Sequence, residues 1–293
     1  MTSIDELPSR RVEGWRWTDL RSALAGHNPP MAEGDRHVIA RLAQAAGRMS
    51  TRVVASGESS VEIERLGGAA LDVQALEFDV REGADLTLIV LQAGAETALS
   101  HRKIRLGERS VFRQFVLMDG GSLARIETDV EIAGAGATVE MSAVYLAAAG
   151  KHADLTSRVD LRAEGAIVRQ LVRGAARKGG RGVFQGKFHV GREAQKTDAR
   201  MKHNALLLEE GAEVFAKPEL EIYADDVQCA HGNTAGQLDE AAIFYLRSRG
   251  IPDAQARAMI TRAFLFEAIP DWLDAAVRTE AEGRIDAWLE AAP

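Results

Sequence analysis

From Leu71 to about Ala235 the chain sustains no 3.6-residue hydrophobic period. Short runs instead alternate apolar and polar residues: LEFDV, DLTLIV, SVFRQFVLM, RIETDVEI, TVEMSAVYL, DLTSRVDL and GKFHV. Successive side chains of a strand point to opposite faces, so this alternation means strands with one face buried. Glycines separate the runs at Gly83, Gly94, Gly107, Gly120, Gly134, Gly136, Gly150, Gly165 and Gly179. Their intervals of roughly 11 to 15 residues leave room for one strand and one turn. A sandwich or barrel and a β-solenoid both accept short strands at this spacing. A sandwich would close through two-residue hairpin loops, yet Asn-Gly and Asp-Gly are rare here, the clear case being MDGGS at 118–122. The pattern therefore predicts a parallel solenoid whose coils stack at about 4.8 Å, a rod on the order of 30 Å long. Such a rod ends in open strand edges that invite another chain.

The flanks read differently. Residues 1–70 are helical and linker-like: WRWTDLRSAL is a short amphipathic segment stopped at GHNPP, and MAEGDRHVIARLAQAAGRM predicts a helix with Val38, Ile39, Leu42 and Ala46 on one face. Residues 71–235 form the strand region. Residues 236–293 hold three helical segments. Asp239 caps the first, with Ile243, Phe244 and Leu246 expected inward. The second follows Pro252 with Met259, Ile260, Ala263 and Phe264 on a stripe, and the third runs from DWLDAAV to Trp288 and Leu289 with an expected break at Gly283. These stripes suit packing against the end of the rod. The aromatic density around Phe244, Tyr245, Phe264, Phe266 and Trp272 also suits a partner surface.

A chain of 293 residues with 46% hydrophobic residues can bury a core, and its formal charge of −7 argues against nucleic acid, which needs unopposed Lys and Arg. The basic stretch RQLVRGAARKGGRGVFQGK lacks interleaved aromatics and reads as a solvated face. One cysteine cannot form an internal disulfide, and MTSIDELPSRRVEGWRWTDL carries no apolar leader core, so a cytoplasmic protein is expected. The apolar run around Leu86 to Leu91 is far too short to span a bilayer.

Known catalytic signatures are missing. GVFQGKF has the wrong spacing for a phosphate loop, and there is no nucleophile elbow, HExxH or paired CxxC. The acid pairs Asp225–Asp226 and Glu209–Glu210 leave one alternative open, a carbohydrate-active β-helix lyase or glycosidase working with two carboxylates. Cys229 and His231 stand two apart. On a strand both face one side and can approach one ion, but two ligands do not close a site, so another chain would have to complete it. A buried, inert thiol is the competing reading.

Residues 182–251, with the landmarks AQKTDAR, LLL, KPELEIYADDVQCAHG and LDEAAIFYLRSRGI, closely resemble the SufB/SufD family of iron–sulfur cluster assembly proteins. Where the SufB branch has a Glu-His-Glu run followed by Ala-x-Thr-Ser, this chain has Ala230, His231, Gly232 and then Asn233 to Gly236, which is similar to the SufD branch. EGWRWTDLR also resembles a Trp-Arg-x-Thr-x-Leu element near the start of that branch. The resemblance implies a right-handed parallel β-helix between helical regions and a non-catalytic scaffold subunit. It implies pairing with SufB through the β-helix and docking of the ATPase SufC on the C-terminal helices. It further implies a transient iron–sulfur cluster or iron shared with SufB, none held stably by the isolated chain, with His231 and, less directly, Cys229 as ligands. Phe244, Tyr245, Ile260 and Phe264, rimmed by Arg247 and Arg249, are the expected SufC contacts, and self-association as a homodimer outside the complex is compatible with this picture.

Overall fold

A computed structural model describes residues 6–27, 29–34, 37–94 and 96–291. The first residues of the N-terminal stretch (1–5), Asn28 of the GHNPP stop, and Asp35 and Arg36 of the expected helix lie outside them.

Among the described residues, fourteen strands alternate between two parallel sheets. The odd sheet runs β1 (Met49–Val54), β3 (Leu71–Val80), β5 (Thr97–Leu106), β7 (Leu123–Ile132), β9 (His152–Leu161), β11 (Arg181–Val190), β13 (Glu213–Ile222). The even sheet runs β2 (Ser59–Leu66), β4 (Asp85–Gln92), β6 (Val111–Met118), β8 (Thr138–Ala147), β10 (Ile167–Ala176), β12 (Asp198–Leu207), β14 (Gln228–Gly236). Each coil contributes one strand to each sheet, so the chain forms a parallel β-solenoid. The strands stack in register, and residues at one height of successive coils point the same way. The inward rows meet as one core containing Phe78, Leu88, Phe112, Val130, Phe184 and Phe188. Punctuating glycines occupy the turns. Gly165, at φ 69°, takes a left-handed conformation that a side chain would strain.

The solenoid begins earlier than Leu71. Residues 49–54 and 59–66, assigned above to the N-terminal helical and linker region, are β1 and β2. They form the first coil: β1 is largely exposed, and β2 alternates with Glu62 and Glu64 turned inward and Val61 and Ile63 outward, so its apolar pattern does not mark the covered face.

Helices clad the outer faces. On the odd sheet, α1 (Leu20–Leu24) and α2 (Val38–Ala45) bury Leu20, Leu24, Ile39 and Leu42 against Val73, Ala75, Leu99 and Leu123. Beneath them Arg125 is buried with Asp154 and Glu127, its guanidinium 3.8 Å from the centroid of the Trp15 ring, and Thr18 donates to Asp154. On the even sheet, α4 (Asp253–Phe266) and α5 (Ala275–Glu290) pack Leu265, Val277, Ala281 and Ile285 onto Ile89, Leu91, Phe115 and Leu117. These helices therefore cover a side of the rod, where the sequence suggested its end. The reason is that β4, β6 and β8 carry apolar residues outward as well as inward at their C-terminal halves, as their continuous burial shows. α5 runs unbroken through Gly283. The helix penalty of about 1 kcal/mol is offset by its buried stripe and by Arg284, which donates from two nitrogens to Asp119.

α3 (Glu240–Ser248) starts where Asp239 Oδ1 accepts from the Ala241 amide at 2.9 Å. Only part of its expected inward face is inward. Ile243 is buried with Leu206 and Leu238, whereas Phe244 is 72% exposed. On α4 the buried residues are Ala256, Thr261 and Leu265, while Met259 and Ala263 are exposed. The stripe is rotated from the sequence expectation because α4 is covered from two sides: Leu265 meets the even sheet and α5, and Ile260 and Phe264 meet Leu206 of β12 and Ile243 of α3.

Most of the basic stretch is neutralised in place: Arg169 pairs with Asp198, Arg173 with Glu267, Arg181 with Glu213 and Lys187 with Glu221, while Arg177 donates to the Leu289 and Ala291 carbonyls. Among the described residues no helix is long and apolar enough to cross a membrane.

Candidate functional site

The rod ends at β13 and β14. β14 hydrogen-bonds to β12 alone and is exposed along nearly its whole length. Its register with β12 pairs Cys229 with Ala199, His231 with Met201, Asn233 with His203 and Ala235 with Ala205. Ala199, Met201 and Ala205 belong to the interior core, so Cys229, His231 and Asn233 continue the inward row. On the coils from β4 to β12 the equivalent positions are buried. Here no further coil follows, and His231 is exposed where the core opens. Across the lumen β13 continues the facing row with Ala216, Pro218 and Leu220, all half-buried. The open end is thus an apolar half facing a strand that presents a thiol, an imidazole and an amide.

Cys229 is half-buried against the core, and that burial pushes its thiol up, which disfavours the thiolate. The imidazole of His231, exposed at this end, presents a nitrogen ligand beside it. Among the described residues no group of three or more His, Cys, Asp and Glu could hold a metal ion. A metal held by Cys229 and His231 would take its other ligands from elsewhere.

Two groups that sequence reasoning passed over adjoin the pair. His203, fully buried, donates from Nδ1 to Asn233 Oδ1 at 2.6 Å and accepts at Nε2 from the Tyr145 hydroxyl at 2.9 Å. Burial lowers its pKa to about 4, and burial likewise brings His152, under the N-terminal segment, to about 4. The signal was present at Asn233, since the period that joins Cys229 to His231 extends to it. His203 lies in the preceding coil, and only the register connects the two.

These histidines give a pH prediction. Each is neutral when folded, and the unfolded chain takes up the proton first as pH falls through about 6.5, so stability present above that pH is lost towards pH 4. Each should contribute a loss on the order of 2 kcal/mol between pH 7 and pH 5. His37 acts oppositely: despite burial, Glu127 raises its pKa, so its contribution is present at low pH and fades as pH rises through that raised value. Urea unfolding at pH 7 and pH 5 should show a smaller loss for His203→Gln than for the unmodified chain. Equal slopes would refute the assignment.

The other sequence candidates fall in separate places. Phe244 and Tyr245 are exposed on α3, 72% and 57%. Ile260 and Phe264 are half-buried and pack inside, against Leu206, Leu238 and Ile243, so they do not form an open stripe with the first two. Arg247 reaches Asp253 at 3.4 Å, and Arg249 lies 5.1 Å from the Tyr245 ring centroid. Asp225–Asp226 and Glu209–Glu210 sit in turns, both residues of the first pair exposed.

Residues 38–264 match the family model described as SUF system FeS cluster assembly, SufBD core domain. The chain belongs to the SufBD family. It is similar to the iron–sulfur cluster assembly protein SufD of Escherichia coli, 33% identical over 212 residues, covering 71% of this chain and 50% of that protein. A SufBD family iron–sulfur cluster assembly protein of Mycobacterium tuberculosis is 31% identical over 258 residues, covering 85% of this chain and 65% of the relative. The chain thus spans between half and two thirds of these relatives. Together the matches make it a SufD-type member, and the SufBD core covers the solenoid apart from none of its strands: β1 to β14 all fall within the matched residues.

Proposed function

We propose that this SufD-type chain is a non-catalytic scaffold subunit of a SUF iron–sulfur cluster assembly complex. It pairs with SufB through the open end of its β-helix, and the nascent cluster or its iron is bound there by His231, with Cys229 as a weaker candidate. The observation that carries this reading is the placement of Cys229 and His231 on the inward row of an edge strand that has no further coil to cover it. An edge strand offers unpaired amides and carbonyls to a second sheet, and a second sheet would bring the ligands that this chain lacks. ATP hydrolysis belongs to SufC, docked on the C-terminal helices.

Co-expression of the chain with SufB and SufC, followed by mass measurement of the purified assembly, tests the partnership. A stable complex containing all three supports it; a homodimer of this chain that excludes SufB from the β-helix end counts against it. The SufC contact has its own test. Because Ile260 and Phe264 pack inside, the clean substitutions are Phe244→Ser and Tyr245→Ser, with Arg247→Ser and Arg249→Ser at the rim. Removing a central aromatic anchor is commonly worth about 2 kcal/mol, roughly a thirtyfold loss of affinity. Pull-down of SufC should weaken accordingly, and unchanged capture by the fourfold variant would sink this contact.

A further inference from the structure

β14 is bonded to one neighbour only, and a strand held by a single ladder at an exposed edge opens readily. Its inward row is nonetheless tied to the interior by side chains. The oxygen of the Asn233 amide can only accept, so Nδ1 of His203 carries the proton and Nε2 presents a lone pair to the Tyr145 hydroxyl. Both bonds are then used in the directions the groups require. The imidazole lies nearly parallel to the Phe184 ring, centroids 4.8 Å apart at 9°.

Tyr145 reaches His203 because two neighbours have no side chain. A Cβ at Gly174, its register partner on β10, would come within 2.0 Å of Tyr145 Cζ, and one at Gly182 on β11 within 2.3 Å of Cε2. Two sheets therefore leave room for one phenol, which fixes one imidazole, which holds one amide of the terminal strand. A hydrophobic residue at 203 would fill the core without any of this, and burying an imidazole is favourable only when both nitrogens are satisfied.

We propose that His203, locked by Tyr145, is a positioning residue for the open-end pair. Through Asn233 it holds the inward row of β14 and so fixes the direction in which His231 and Cys229 face an incoming partner. The proposal rests on the reading of His231 as a ligand. Asn233 and His231 are alternate residues on one face of one strand, so rotation of the strand about its axis moves both.

The test uses the full chain co-expressed with SufB and SufC, with iron and acid-labile sulfide measured per complex. It adds amide exchange of residues 229–233 and the imidazole nitrogen resonances of His231 in the full chain alone. Asn233→Ala and His203→Leu should each lower cluster content several-fold with subunit ratios unchanged. The double variant should lose no more than either single one. Asn233→Asp, whose carboxylate still accepts from Nδ1, should restore it. Exchange at 229–231 should speed by about tenfold in Asn233→Ala, as expected when a local opening becomes easier, and the His231 resonances should shift. If His231→Ala loses its cluster while Asn233→Ala and His203→Leu keep theirs, His203 is core filling and the proposal is overturned. If His231→Ala keeps its cluster, the ligand reading has failed. The clamp then stands or falls on exchange at 229–231, and unchanged exchange in Asn233→Ala overturns it. Should His203→Leu not fold, Asn233→Ala, at an exposed position, carries the test.

Discussion

A complex of this chain with SufB and SufC carrying His231→Ala should assemble normally and hold little iron or acid-labile sulfide. The expectation of normal assembly follows from burial. His231 is exposed at the end of the rod, so truncating it removes almost no packing and leaves the β12–β14 ladder in place. The expectation of cluster loss follows from the ligand count. With no cluster of three ligand residues among the described residues, a shared site depends on each group this chain supplies. An imidazole with one free nitrogen is a good ligand for iron. Cys229→Ser should have a smaller effect, because the half-buried thiol is pushed up and faces the core it packs against. Full cluster content in the His231→Ala complex would make the histidine structural. Loss of SufB from that complex would instead show that the residue serves the interface.

Glu64→Ala should be among the most damaging single substitutions for stability. Arg102 points into the lumen from β5 with no solvent exposure, and it bonds through Nε and Nη2 to Glu64 on β2 of the facing sheet. Its Nη1 has no hydrogen-bond partner among the described residues. Removing the carboxylate leaves a buried, uncompensated guanidinium, and breaking one side of such a pair typically costs about 3–5 kcal/mol. Replacing both residues with apolar ones, Glu64→Leu with Arg102→Met, removes the charge along with its partner and should recover most of that loss. Urea unfolding of the two variants against the unmodified chain decides the matter. A single-variant loss under about 1 kcal/mol would show that water reaches the pair.

The same residues explain why some strands were legible and others were not. β7 and β8 announce themselves because their inward rows are largely apolar, as in Ile126, Val130 and Ile132 or Val139, Met141 and Ala143. β5 escapes notice because Ser100 and Arg102 occupy its inward row, and TALSHRKIRL therefore shows no clean alternation. β10 does so because Gln170 stands inward, bonded to Ser157 across the lumen, while its arginines gave the impression of a solvated face. β14 has no apolar pattern to read, since the last coil has only one covered side.

What the sequence determined by itself was local. Period-2 alternation and recurrent turn glycines are enough to specify stacked parallel strands, because each coil repeats one short-range rule. The spacing of Cys229 and His231 was likewise enough to place them on one face. Tertiary structure alone decided which face that was, since a one-residue change of register would turn the pair outward. It also decided that the C-terminal helices lie along the side of the rod, and that Ile260 and Phe264 pack within it while Phe244 and Tyr245 stay in water. The His203–Asn233 bond joins residues 30 positions apart. No local rule encodes such a contact, because it exists only once every intervening turn has closed and the coils have come into register.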